Sequence, residues 1–145
     1  FFPLNQETNF KINKFFRTVT KKKKKNPKVL NIKGRYFEIR NFYEGISRFN
    51  FNELCDANLG AEDYLEIAKN SDLIVIEDIP QFNDINSNQQ LRFITLLDII
   101  YDKNIPLAVT ANQSLEQFTS SISLEKEFKR TVSRLHELTS KDHTL

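Results

Sequence analysis

The sequence predicts an α/β protein: a partial parallel sheet with flanking helices, preceded by a small α+β module that contains a β-hairpin. Three observations carry this reading. Leu73-Ile74-Val75-Ile76 and Pro106 to Thr110 (PLAVT) are short apolar runs without alternation. Strands of that kind are buried on both faces, as in parallel sheets. Between them, Asn88 to Asn104 places Leu91, Ile94, Leu97, Ile100 and Tyr101 on one helical face,. Upstream, residues 28–40 alternate apolar and polar side chains about Gly34, the pattern of paired, half-buried strands,.

Taken in order, residues 5–19 read as a helix. Asn5 or Thr8 can cap it, and Phe10, Ile12, Phe15, Phe16 and Val19 form an approximate apolar stripe,. Lys21 to Lys25 and Asn26-Pro27 end that pattern. Lys28 to Lys33 (KVLNIK) and Arg35 to Arg40 (RYFEIR) give the hairpin, and Ile46 to Phe51 (ISRFNF) alternates and adds a strand. The character of the chain then changes. The expected division is a small α+β module over residues 1–50 and an α/β part over 51–145. Residues 61–70 (AEDYLEIAKN) form a short amphipathic helix, followed by the strand that ends in Glu77-Asp78. After the 88–104 helix and the second buried strand, Leu124 to Leu138 is a final helix. It carries Phe128, Val132, Leu135 and Leu138 at helical spacing. The order strand, helix, strand, helix is a βαβ unit, for which a right-handed crossover is expected.

A length of 145 residues suffices for one domain with its own core, or a core with a small appended module,. The chain starts at Phe1 and contains no Met, so a fragment of a longer protein is expected. The net charge is +2, from 21 basic and 19 acidic residues. Five of the basic residues are the run Lys21 to Lys25; without it the count is 16 against 19, or −3. The basicity is therefore one local tract, which argues against a broad nucleic-acid footprint. A single cysteine, Cys55, excludes an internal disulfide framework and suits a reducing compartment,. No apolar run approaches the roughly 20 residues of a membrane helix. His136 and His143 lack further ligands at metal spacing, and no metal site is expected,.

Several blocks, in a fixed order, resemble the C-terminal half of ZapE-like ATPases. They are Phe49-Asn50-Phe51-Asn52-Glu53-Leu54-Cys55, Gly60-Ala61-Glu62-Asp63-Tyr64-Leu65 and Ile76-Glu77-Asp78-Ile79-Pro80. Arg92-Phe93-Ile94-Thr95-Leu96-Leu97-Asp98, Tyr101-Asp102 and Phe128 to Leu138 (FKRTVSRLHEL) follow. The first 47 residues fit more loosely, as a variable module before these blocks. The resemblance implies a P-loop ATPase-like fold, with ATP and Mg²⁺ as ligands of the full-length protein. It also implies protein partners, in cell division for bacterial members and in mitochondrial quality control for eukaryotic ones. A cytoplasmic location follows for a bacterial protein and a mitochondrial one for a eukaryotic protein. The family's Gly-rich loop and its acidic Asp-Glu-Phe strand end lie upstream of the matching stretch. No G-x-x-x-x-G-K-[ST] occurs here, and Gly34, Gly45 and Gly60 are not clustered. The chain alone is therefore expected not to bind ATP tightly. Two departures stand at the C-terminus: Glu137-Leu138-Thr139-Ser140 replaces Glu-Met-Gln-Ser, and Lys141-Asp142-His143 stands where Tyr-Leu is usual.

Within that frame, Glu77 and Asp78 are candidates for the acidic pair that P-loop enzymes place at a strand end for Mg²⁺ and water. The plainer reading is a polar cap on the sheet edge. Asn112 suits a sensor of a water or phosphate, or equally a cap before Ser114-Leu115-Glu116-Gln117,. Arg130 and Arg134, four apart, share a helix face and are candidate arginine fingers or sensors, with Arg134 expected ahead of Arg130,. They could instead pair with Glu127, Glu137 or Asp78. Arg92 is a third candidate. The partners expected are the missing P-loop half, protein clients and further copies of the chain. The rival readings are a stand-alone protein-binding module with vestigial nucleotide-site residues, and an RNA-binding protein acting through the lysine tract. Nucleic acid is the less expected partner, because the tract lacks interleaved aromatics.

Overall fold

The computed structural model describes residues 5–139. The departure at Lys141-Asp142-His143 lies outside that range, whereas Leu138 and Thr139 lie within it. Helix α1 (Gln6–Val19) starts at Asn5, whose Oδ1 accepts the Thr8 N–H at 2.9 Å, so Asn5 is the cap. Strands β1 (Lys28–Ile32) and β2 (Arg35–Ile39) pair antiparallel about Lys33-Gly34. Both turn residues have positive φ, 50° and 82°, as a two-residue hairpin turn that follows the strand twist requires,.

A second tight turn, Glu44-Gly45, joins β3 (Asn41–Tyr43) to β4 (Ile46–Asn50). Gly45 has φ 94°, and a Cβ there would lie 2.2 Å from Asp72 Oδ2. Backbone and space both demand glycine at that point. Helices α2 (Phe51–Cys55) and α3 (Ala61–Lys69) then lead to β5 (Leu73–Ile79). Helix α4 (Ser87–Asp102) leads to β6 (Leu107–Ala111). Two 3₁₀ turns, Leu115–Gln117 and Ile122–Leu124, precede α5 (Glu125–Thr139).

The main sheet has the order β3-β4-β5-β6. The pair β3–β4 is antiparallel, and β4–β5 and β5–β6 are parallel. Because β4 pairs with β5, the sheet runs across the division expected at residue 50. The β1–β2 hairpin is a separate two-stranded unit.

Strand pleat sorts the core into two layers. Ile46, Leu73, Val75 and Ala108 face α1 and meet Ile12, Phe16 and Val19. The alternate residues Phe49, Ile74, Ile76, Leu107 and Val109 face the other helices, on the side that also holds Leu30, Ile32 and Ile39 of the hairpin. That larger layer uses much of the chain's phenylalanine. Phe82 is fully buried and sits 5.4–5.7 Å, ring to ring, from Phe51, Phe93 and Phe128. Burying such a ring stabilises by about 1.5–3 kcal/mol before its edge-to-face contacts are counted. Helix α2 and strand β3 were not expected from the sequence. Three and five residues are too short to show periodicity,.

Candidate functional site

Open parallel sheets meet ligands at the carboxyl ends of their strands. Here β4 ends in Asn50, β5 in Glu77-Asp78-Ile79 and β6 in Thr110-Ala111, with Asn112 next. Asn50 organises the first of these ends. Its N–H donates to Glu53 Oε1 at 2.9 Å and its Oδ1 accepts the Asn52 N–H at 3.1 Å, a capping box that starts α2,. Its Nδ2 donates to Asp78 Oδ2 at 2.6 Å.

Asp78 stands at φ 63°, where the β5–β6 register breaks between Ile76 and Ile79. Its N–H donates to the buried Thr110 Oγ1 at 2.8 Å. A side-chain hydroxyl thus replaces a ladder carbonyl, and the bulge turns Asp78 to the exposed edge. Asn112 joins the same edge: its N–H donates to the Ile79 carbonyl at 3.0 Å and the residue is exposed.

Glu77 goes the other way. Arg48 Nη2 donates to its Oε2 at 3.0 Å, and Arg48 Nε to its Oε1. The same guanidinium reaches Asn13 Oδ1 at 2.7 Å and lies 4.5 Å from the Phe16 ring centroid. Glu77 is therefore held under α1 in a bidentate pair whose side chains are about one-fifth exposed. Adjacent acids in sequence end on different sides of the sheet, as the strand pleat requires.

The arginines divide in the same manner. Arg134 Nη1 donates to Asp98 Oδ1 of α4, and its guanidinium sits 4.7 Å from the Tyr101 ring centroid. The Tyr101 hydroxyl donates to Glu137 Oε2 at 3.0 Å, and that carboxylate raises the tyrosine's pKa. Arg134 thus bridges α4 and α5. Arg130 is exposed, and among the described residues it forms no ion pair. Arg92 Nη1 donates to the Cys55 carbonyl at 3.1 Å and closes the end of α2. Beneath it, burial pushes the Cys55 thiol up to about 12.

Sequence reasoning passed over Asn50, Thr110 and Arg48 as site residues. The Asn50-x-x-Glu53 spacing is a readable capping signal, whereas the bond from Thr110 to Asp78 spans 32 residues and leaves no local trace. Nor do the glycines form a phosphate cradle. Gly34 and Gly45 serve hairpin turns, and the Gly60 N–H at the head of α3 is taken by Asp63 Oδ2 at 2.8 Å. Among the described residues no group of three His, Cys, Asp or Glu side chains could hold a metal, and no helix is long and apolar enough to cross a membrane.

The layers and the polar strand-end edge define an α/β protein of the open, mostly parallel sheet class. The profile of the AFG1-like ATPase family matches residues 1–144, and the chain belongs to that family. It is 34% identical over 112 residues to Lactation elevated protein 1 homolog B of Danio rerio, covering 77% of this chain and 22% of that protein. It is 26% identical over 141 residues to Cell division protein ZapE of Escherichia coli K12, covering 97% of this chain and 38% of that protein. The chain thus spans well under half the length of either relative. No solved structure matches it.

Proposed function

We propose that this chain is the C-terminal part of a ZapE-like ATPase that couples ATP hydrolysis to action on protein partners. The supporting observation is the family match across residues 1–144, which takes in both layers of the sheet and the polar strand-end edge. The nucleotide and its Mg²⁺ would be held mainly by a Gly-rich loop outside these residues. This chain would then contribute the Asn50–Asp78–Asn112 edge and helix α5. The name of the bacterial relative points to cell division as the process served by a bacterial member, and a cytoplasmic location would go with that reading. For a eukaryotic protein the corresponding reading is mitochondrial quality control.

The geometry favours Arg130 over Arg134 as an arginine for transferring phosphate. Arg134 is committed to Asp98 and Tyr101, whereas Arg130 is exposed on the same helix. In the intact ATPase, Arg130→Lys keeps the charge and loses the fork. Turnover should fall sharply, since arginine fingers contribute about 10³ to 10⁵ in rate. ATP affinity and melting temperature should stay near wild type. Normal turnover of this variant would remove Arg130 from the chemistry, and normal turnover of Arg134→Lys as well would remove α5. Calorimetry of the 145-residue chain with ATP and Mg²⁺ checks the division of labour. Low-micromolar binding would place the nucleotide site within this chain.

A second reading is a protein-binding module with vestigial nucleotide residues. It draws on Ile85 and Ile122, which are 95% and 75% exposed. Their loops are tied together by the Ile122 N–H to Asp84 Oδ1 bond at 2.9 Å. An intact protein without ATPase activity would favour it.

A further inference from the structure

Apart from the sheet edge, the strongest chemical asymmetry lies on the opposite layer. Helix α1 points Phe10, Lys14 and Arg17 outward, at spacings of four and three, and Lys21 follows just past the helix end. All four are exposed, Phe10 to 63%. The tract Lys21 to Lys25 continues this face and is exposed throughout. The tract is anchored. Lys23 Nζ donates to the Glu44 carbonyl at 3.2 Å, and the Lys24 N–H donates to Glu44 Oε2 at 2.9 Å. The Glu44 carboxylate thus takes a backbone donor from the tract. Glu7 is paired with Lys11 at 3.1 Å. The positive charge of the remaining cations is left on the surface.

The apolar side of α1 is used up against the sheet, where Ile12, Phe16 and Val19 pack. What remains outside is a row of cations headed by an exposed aromatic and continued by the lysine run, the elements of an electrostatic contact with an anionic membrane surface. Single-stranded nucleic acid calls for a different surface, with aromatics interleaved among the cations for base stacking. The tract has none, and its lysines are point charges rather than planar forks,.

We infer that the outer face of α1 and Lys21 to Lys25 form a peripheral docking surface for a bilayer rich in anionic headgroups. The inference does not depend on the nucleotide reading, since it uses neither the strand-end edge nor α5.

The test is co-sedimentation of the 145-residue chain with phosphatidylcholine vesicles, with and without phosphatidylserine, at low and high salt. Binding should require phosphatidylserine and weaken at high salt. The combined Lys21→Ser, Lys22→Ser, Lys23→Ser, Lys24→Ser and Lys25→Ser variant should lose about 100-fold or more in partitioning, since each surface cation contributes several-fold. Its melting temperature should barely move, because the side chains are exposed. Phe10→Ser should weaken partitioning about fivefold or more at unchanged salt dependence. Inorganic phosphate at the same ionic strength should not displace the protein. Equal binding to neutral vesicles, no binding to either kind, or an unaffected lysine variant would overturn the inference. So would tighter binding to a single-stranded RNA oligomer, lost in the same variant, which would assign the tract to nucleic acid.

Discussion

Replacing Arg134 by Ala should destabilise the protein, whereas replacing Arg130 by Ala should not. The two residues sit one turn apart on α5 and differ only in what they touch. Arg134 meets Asp98 on α4 and the face of Tyr101, with its side chain 25% exposed and that of Asp98 33% exposed. A solvent-screened ion pair contributes at most about 1 kcal/mol. The cation–π contact adds about 0.5–1 kcal/mol at an exposed site. Packing of the arginine stem against α4 adds some further loss. The expected cost for Arg134→Ala is therefore about 1.5–2.5 kcal/mol. Arg130→Ala should stay within about 0.5 kcal/mol of wild type. Urea denaturation of both variants measures the difference, and a double-mutant cycle of Arg134→Ala with Asp98→Ala isolates the pair. Its coupling should be about 0.5–1 kcal/mol. Equal stability of the two single variants, or a coupling indistinguishable from zero, would refute Arg134 as the bridge between α4 and α5.

Three further outcomes follow from the packing. Phe82→Ala removes a fully buried ring that touches three others and should cost about 3–5 kcal/mol, read as a large drop in the denaturation midpoint,. Gly45→Ala should cost about 1–3 kcal/mol, from positive φ and the collision with Asp72, and Gly45→Ala with Asp72→Ala should recover only the steric part,. Alkaline pH should destabilise the fold. The Cys55 thiol is raised from 9.0 to about 12 in the folded state, mainly by burial, so between those values only the unfolded chain ionises there. Stability is intact below about pH 9 and then falls by up to about 1.4 kcal/mol per pH unit per group. Tyr64, also raised mainly by burial, steepens the fall above its ordinary value of 10.0. Denaturation series from pH 8 upward check the slope, which Cys55→Ala should make shallower.

What could be read from the residues was whatever repeats over short distances. The α1 stripe, the alternation about Gly34, the apolar strands at Leu73 and Leu107 and the faces of α4 and α5 each follow from spacings of two to four residues. Two members of those faces were misplaced: Phe10 and Leu91 are exposed, because Thr8 and Gln90 take inward positions on α1 and α4 instead. Burial then fixes which side faces inward, so the amphipathic pattern and the element type are one signal. The start of α1 was legible on the same terms, with Asn5 and Thr8 as candidate caps, and the structure selects Asn5.

The candidate site was legible only in part. Asp78 and Asn112 could be named as polar strand ends, but nothing local distinguishes Asp78 from Glu77. That distinction belongs to the sheet: pleat turns Glu77 toward Arg48 and α1, while the bulge and Thr110 send Asp78 to the edge. Arg130 and Arg134 look equivalent in sequence, and the expected preference for Arg134 rested on no contact. Asp98 and Tyr101, more than thirty residues earlier, separate them by supplying an anion and a ring to one and not the other. The sequence by itself determined the types of the longer elements, the α/β class and the family blocks, because propensity, periodicity and motif spacing act within a few residues. Only the tertiary structure decided which charges are committed and which remain exposed, because the pairing of a charge depends on groups that the chain brings together after closing loops of roughly thirty residues,.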